Sequence, residues 1–271
     1  MSVPVFIELC AGTAALSLRL ARARAKPPVS RMGAKTGYAD AILSRMGLQP
    51  GQGAERYIWA EPDAGVRLLL ECYRNAELAH AAAEVVRQWA DEQPRALWGR
   101  LRAEGPVKAV EAREVARWVV REAWTMCDAK PVYSGPGRPG NETKAVQADR
   151  LTHRLDDLPE LPGFVVAGAA EVKPARLPAG SWVYIDPPYV GTTGYAHDLP
   201  RAEVVRLARA WHAAGVHVAV SEAVPLAELV ADGWHAHELT HERVGARRTF
   251  SRQQREWLTL TRAPRGQLSW F

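Results

Sequence analysis

Val183-Tyr184-Ile185-Asp186-Pro187-Pro188-Tyr189 joins a short apolar, β-prone run to an acid, two prolines and an aromatic. Proline has no amide hydrogen to give to a ladder, so the run reads as a strand that stops at Asp186. In open α/β sheets, ligands bind outside the carboxyl ends of the strands. The stretch therefore predicts a buried strand that carries Asp186, Pro187, Pro188 and Tyr189 to a site at its C-terminal end.

Working outward, the pattern around this strand is one of alternation. VPVFIEL (3–9) is another apolar run, followed by the small-residue turn Cys10-Ala11-Gly12-Thr13. Apolar residues at helical spacing predict a helix over 14–25, ended by Pro27-Pro28. A second helix is expected over 39–46, and RYIWA (56–60) reads as a strand ending in Glu61-Pro62-Asp63. Helix is expected next over 64–74. Further strands are expected at 164–167, 183–185, 216–221 and 256–261, with helices over 201–214 and 225–232. Strands alternating with helices imply an α/β fold with a mainly parallel sheet covered on both faces.

The segment 75–128 interrupts this rhythm. It is rich in Ala, Arg, Glu and Trp at helical spacings and reads as a helical insertion, its tryptophans at 89–124 read as core. Residues 131–149, PVYSGPGRPGNETKAVQAD, read as an exposed basic loop that contains Arg138 and Lys144. Three parts result: a first half of the α/β domain at 1–75, the insertion and basic loop at 76–150, and a second half at 151–271.

The chemistry of the Asp-Pro-Pro-Tyr group favours work on an amine. An amino group conjugated to a purine ring is a weak nucleophile because its lone pair is delocalised. A carboxylate and a freed backbone carbonyl can accept hydrogen bonds from it, which localises that lone pair, and an aromatic face can stack on a base taken out of its helix. Catalysis of this kind rests on positioning and electrostatics and needs no covalent enzyme intermediate. The Gly/Ala turn after the first strand separately suits close approach of a ligand to the backbone, with Glu8 placed to hold an amino group.

These residues resemble the D12 class of DNA N6-adenine methyltransferases. Asp186 to Tyr189 resembles the family's motif IV, and Phe6-Ile7-Glu8-Leu9-Cys10-Ala11-Gly12-Thr13-Ala14-Ala15 its motif I. Ile58-Trp59-Ala60-Glu61-Pro62-Asp63 is similar to motif II, whose acid binds ribose hydroxyls; glutamate stands where aspartate is usual, leaving Glu61 and Asp63 as alternatives. Arg31-Met32-Gly33-Ala34-Lys35 resembles motif X, although here it follows motif I instead of preceding it. The resemblance implies a Rossmann-like class I S-adenosylmethionine-dependent methyltransferase fold with a helical insertion. It implies S-adenosylmethionine as cofactor, bound by Phe6, Glu8, Cys10, Ala11, Gly12, Lys35, Glu61 and Asp186. It also implies transfer of a methyl group to N6 of adenine flipped out of duplex DNA. An RNA base N-methyltransferase and a catalytically inactive nucleic-acid-binding relative are the alternatives; a protein glutamine methyltransferase fits less well, since that group has asparagine in place of Asp186.

The remaining signals concern partners and compartment. The net charge of +5 is compatible with a polyanionic partner. Arg243, Arg247, Arg248, Arg252 and Arg255 form a basic cluster; Arg247, Arg248 and Arg252, with Arg138 and Lys144, are candidates for phosphate contact. Tyr195 and His197, in a glycine-rich segment after Tyr189, are candidates to contact the flipped nucleotide. The histidines form no metal-ligand pattern, so no metal is expected. Cys10, Cys72 and Cys127 show no paired spacing, and no apolar run reaches the roughly 20 residues that span a bilayer. With no secretory signal pattern at the start, a cytoplasmic setting without membrane contact is the expectation.

Overall fold

The computed structural model describes residues 2–29, 33–126, 132–133, 144–189, 197–240 and 255–261, with backbone alone at 126, 132 and 144–148. Its centre is a seven-stranded sheet. In chain order the strands are β1 (Val3–Leu9), β2 (Ala54–Ala60), β5 (Gly163–Val166), β6 (Trp182–Ile185), β7 (His217–Glu222), β8 (His235–Glu238) and β9 (Trp257–Leu260). The two-residue strands β3 (Thr125–Met126) and β4 (Val132–Tyr133) pair separately. Spatial order in the sheet is β5-β2-β1-β6-β7-β9-β8. The first five strands in that order run parallel, and β9 runs antiparallel to both β7 and β8. From β1 the chain winds outward through β2 to β5, then returns to place β6 on the other side of β1. The order thus reverses between β1 and β6, and the crevice at such a point is where Rossmann-like sheets bind ligands.

Period-two alternation sorts the central strands between two cores. Phe6, Trp59, Trp182 and Tyr184 face one side. Ile7, Leu9, Val183, Ile185, Val218 and Val220 face the other, against α8 (Arg201–Ala213) and α9 (Ala227–Ala231). The first side is covered by α1 (Ala15–Ala21), α2 (Ala39–Met46), α3 (Ala64–Arg74), α4 (Ala76–Gln88), α5 (Pro94–Ala103), α6 (Ala112–Ala123) and α7 (Lys144–Asp156). The helices of the 76–150 segment do not form a core of their own. α4 and α6 pack on α3, α5 packs on α6, and Leu97, Leu101, Val115 and Val119 join the core beneath the sheet. Trp98, Trp118 and Trp124 are buried there, as their spacing predicts.

Local chemistry explains most boundaries. Asp63 caps α3, its Oδ1 accepting from the amides of Gly65 (2.8 Å) and Val66 (3.2 Å). Asn75 caps α4, and Gln93 with Pro94 opens α5. Gly47, at φ 74°, closes α2. Two expectations shift. The first helix ends at Ala21 rather than near 25: Arg22 is extended, and its guanidinium bonds the carbonyl of Asp157. Lys144 opens α7 instead of lying in a loop, because Leu151 and Leu155, one turn apart, bury against the core and α7 packs on α4. No helix among the described residues is long and apolar enough to cross a membrane.

Candidate active site

Three strand ends meet at the reversal of strand order. The amide of Asp186 donates to the carbonyl of Leu9 at 3.1 Å, that of Ala11 to Ala60 at 2.9 Å, and that of Glu61 to Val166 at 3.0 Å. Register therefore carries Asp186, the loop after β1 and Glu61 to one edge of the sheet. The loop itself is unusual: Cys10, Gly12 and Ala14 all have positive φ, at 60°, 50° and 45°. For cysteine and alanine this conformation costs roughly 1–2 kcal/mol each, strain of the kind that concentrates at functional sites. It is held by Ala14 N–H to Ala11 O (2.8 Å), by the Tyr73 hydroxyl donating to Thr13 O (3.0 Å), and by the Gly12 amide donating to Glu61 Oε2 (2.8 Å). A Cβ built on Gly12 would meet nothing within 4 Å, so the loop backbone faces open space.

The two acids after β2 have separate tasks. Asp63 is committed to capping α3. Glu61, buried, turns to the loop, where Oε2 accepts from Gly12 and Oε1 from the Asp63 amide at 2.9 Å. Arg67 clamps the turn by donating to the carbonyls of Glu61 (2.9 Å) and Pro62 (2.6 Å). Glu8 lies deeper on β1. Its Oε1 accepts from the amide and hydroxyl of Ser17 at 2.8 and 2.5 Å, and Trp59 Nε1 donates to the same hydroxyl at 2.9 Å. Burial pushes the Glu8 carboxyl up to about 7, against the Ser17 hydrogen bonds and with a smaller push from Asp186.

Asp186 sits at the end of β6 with Pro187 buried beside it. Lys35 Nζ lies 2.7 Å from Asp186 Oδ1, an ion pair at hydrogen-bond distance that covers part of the carboxylate. Burial raises the Asp186 carboxyl to about 7; Lys35 opposes this, while Glu256 and Glu222 add to it. Lys35 is itself buried. Its ammonium donates to Gly33 O at 2.9 Å and lies 4.7 Å from the centre of the Tyr189 ring. Tyr189 is buried and its hydroxyl donates to Glu256 Oε1. Beneath these groups, the Tyr184 and Ser221 hydroxyls bond at 2.7 Å. The Cys10 thiol is driven strongly upward, chiefly by burial and then by Glu61 and Asp186, so it stays protonated and is no nucleophile.

Of the residues singled out from the sequence, Glu8, Cys10, Ala11, Gly12, Lys35, Glu61, Asp186, Pro187, Pro188 and Tyr189 thus fall on this edge or in the loops beside it. Phe6 does not face the edge: it is fully buried, edge-on to Tyr57 with ring centres 6.4 Å apart. His197 is exposed, and Lys144 is the first residue of α7. Arg138, Tyr195, Arg247, Arg248 and Arg252 lie outside the described residues, as do Arg31 and Met32 of the lysine-containing element. Ser17 and Glu256 are additions from the structure. Glu256 had a faint signal, an acid directly preceding the apolar run Trp257-Leu258-Thr259-Leu260; Ser17 had none, lying inside a helical pattern.

Chemically, the described residues of the edge offer buried carboxylates, the Lys35 ammonium held against them, and an aromatic ring, all beside an open small-residue loop. That set can bind a cationic or hydroxyl-bearing ligand and draw hydrogen bonds from an amine. Comparison with protein-family models and with curated proteins finds no match to this chain.

Proposed function

We propose that this protein is an S-adenosylmethionine-dependent methyltransferase that acts on an exocyclic amine of a nucleobase, N6 of adenine in DNA being the preferred target. One observation carries the reading: the loop after β1, the acid after β2 and the Asp-Pro-Pro-Tyr group after β6 converge on one edge at the reversal of strand order. The residues suit the cofactor. Gly12 leaves room for close approach, Glu61 brings a carboxylate to that loop for ribose hydroxyls, and Glu8 stands as a deeper carboxyl behind it. When bound, S-adenosylmethionine supplies an electrophilic methyl group on a sulfonium centre.

The chain's own residues do the rest by positioning. Asp186 accepts a hydrogen bond from the target amine and localises its lone pair, aided by a main-chain carbonyl of the proline pair, which no helix or ladder engages. Tyr189 presents a ring for stacking, with Lys35 on one of its faces. The basic residues Arg138, Lys144, Arg247, Arg248 and Arg252 are the candidates for holding phosphates while a nucleotide is extruded.

The test is transfer of a radiolabelled methyl group from S-adenosylmethionine to duplex DNA, total RNA and protein, followed by nucleoside analysis. Label recovered as N6-methyladenine from DNA is the expected result. Label in RNA alone would move the substrate, and label in none would leave a nucleic-acid-binding relative without activity.

A further inference from the structure

Glu256 belongs to no element that the sequence pattern connects with Asp186, yet its side chain reaches both groups beside it. Its main chain is fixed between strands: the amide donates to Thr240 Oγ1 at 3.1 Å and the carbonyl accepts from Leu239 at 2.7 Å. From there Oε1 accepts the Tyr189 hydroxyl, and the same oxygen lies 3.9 Å from Lys35 Nζ. Lys35 thus stands between two carboxylates, at 2.7 Å from Asp186 and 3.9 Å from Glu256, with the Tyr189 ring as a brace.

We propose that Glu256 is a positioning residue of this site, anchoring Tyr189 and sharing Lys35 with Asp186, so that it sets how firmly Lys35 occupies the Asp186 carboxylate that an incoming amine must reach. The proposal rests on the proposed reading of Asp186 as the acceptor for that amine. Its physical basis is competition for one ammonium. With the ammonium on Asp186, the carboxylate is charged but partly covered; with it drawn to Glu256, Asp186 is uncovered for an amine. Glu256 thus provides an alternative seat for Lys35 only slightly farther away, at no cost in new burial.

Among the described residues, several titratable groups face Asp186. Glu8 reaches it from β1, Cys10 from the following loop, Lys35 from the segment before α2, Glu222 from the end of β7 and Glu256 from the start of β9; Tyr184 and Tyr189 flank it in its own segment. Among these described residues Lys35 is the cation, set against Glu8, Glu222 and Glu256. Neutralising Glu256 removes both a repulsive charge and the competitor for Lys35, and both changes favour ionised Asp186. Removing Lys35 does the reverse.

The experiment follows the Asp186 carboxyl carbon by NMR in protein labelled with 13C at aspartate, without ligand, its signal identified by its loss in Asp186→Asn. Glu256→Gln keeps an acceptor for the Tyr189 hydroxyl, and its midpoint should fall by about 1 pH unit relative to the parent. Lys35→Met should raise the midpoint by about as much. Tyr189→Phe releases Glu256 to take Lys35 more fully, so the midpoint should rise; this variant decides the matter if Glu256→Gln fails to fold by circular dichroism. A midpoint unchanged in folded Glu256→Gln, or unchanged in Tyr189→Phe where only that variant folds, overturns the proposal. The titration needs no turnover. An inactive parent whose midpoints shift as stated would overturn the methyl-transfer reading alone; an active parent whose variants do not shift would overturn the role of Glu256 alone.

Discussion

The main-chain amide of Gly12 donates to Glu61 Oε2 at 2.8 Å, tying the loop after β1 to the acid after β2. This one bond joins the backbone a ligand would approach to the carboxylate that would grip it. Gly12→Ala should therefore act in two ways. At φ 50° the added Cβ costs roughly 1–2 kcal/mol, and it points into the open space before the loop. The strain lowers stability, while the Cβ occupying the space a ligand would enter should lower S-adenosylmethionine affinity, measured by calorimetry, about tenfold or more. Glu61→Ala also strips the acceptor from the Gly12 and Asp63 amides, so it should lose binding together with about 1–3 kcal/mol of stability. Parental affinity in Gly12→Ala would place the cofactor elsewhere.

Asp186→Ala should abolish methyl transfer while leaving cofactor affinity within a few-fold, because its carboxylate is assigned to the amine. Lys35 would then keep Glu256 as its counter-charge, so the fold should survive. Asp186→Asn retains an amide oxygen as acceptor and should keep residual activity. Single-turnover transfer and calorimetry on the same preparations separate the two effects; near-parental turnover in Asp186→Ala would remove Asp186 from the mechanism.

Glu8 makes a statement about stability and pH. Its carboxyl rises from 4.5 to about 7 on burial, so between those values the folded chain holds a proton that the unfolded chain has released. Its contribution to stability is complete below about 4.5, declines as pH rises towards 7, and stays lost above that. Glu8→Gln cannot ionise but can still accept from Ser17. Relative to the parent it should gain with pH across this window, by roughly 3 kcal/mol at most. Urea denaturation from pH 4 to 8 reads the difference; a difference that does not vary with pH would contradict a protonated, buried Glu8.

Gly65→Ala sets helix propensity against packing. Alanine is better than glycine within a helix by about 1 kcal/mol. At this position, however, the new Cβ would lie 2.2 Å from Trp118 Cδ1 and Nε1, and Trp118 is buried where α6 packs on α3. Overpacking of that kind costs about 1–3 kcal/mol, so the net effect should be destabilising. Thermal denaturation should show a lowered midpoint that Trp118→Phe partly restores, with cofactor affinity unchanged. A raised midpoint would mean that α6 can move away from α3 at little cost.

Several of these relationships trace back to local pattern. VPVFIEL and WVYI are apolar over four or more residues, so their burial as β1 and β6 could be read directly, as could α2 and α3 from their periodicity. The Asp-Pro-Pro-Tyr group announced its own position because two successive prolines have no amide hydrogens to carry the ladder past Asp186. Local pattern failed where a distant partner decided the outcome. The stop of α1 at Ala21 goes with the reach of Arg22 to Asp157, and the start of α7 at Lys144 depends on burial of Leu151 and Leu155 beneath α4.

The sequence by itself determined which residues are the candidates for chemistry: the acid after each of two buried strands, the small-residue loop after the first, and the lysine at 35. Tertiary structure alone decided how they divide the work. Glu61 rather than Asp63 turns to the Gly12 loop, because Asp63 is spent on capping α3. Lys35 meets Asp186, and Tyr189 meets Glu256 across 67 residues of chain, because the sheet order sets β6 beside β1 and brings β9 back antiparallel to β7. Side-chain periodicity records whether a residue is buried. It carries no record of which distant strand becomes its neighbour, and in a site of buried charges the neighbour sets the protonation state.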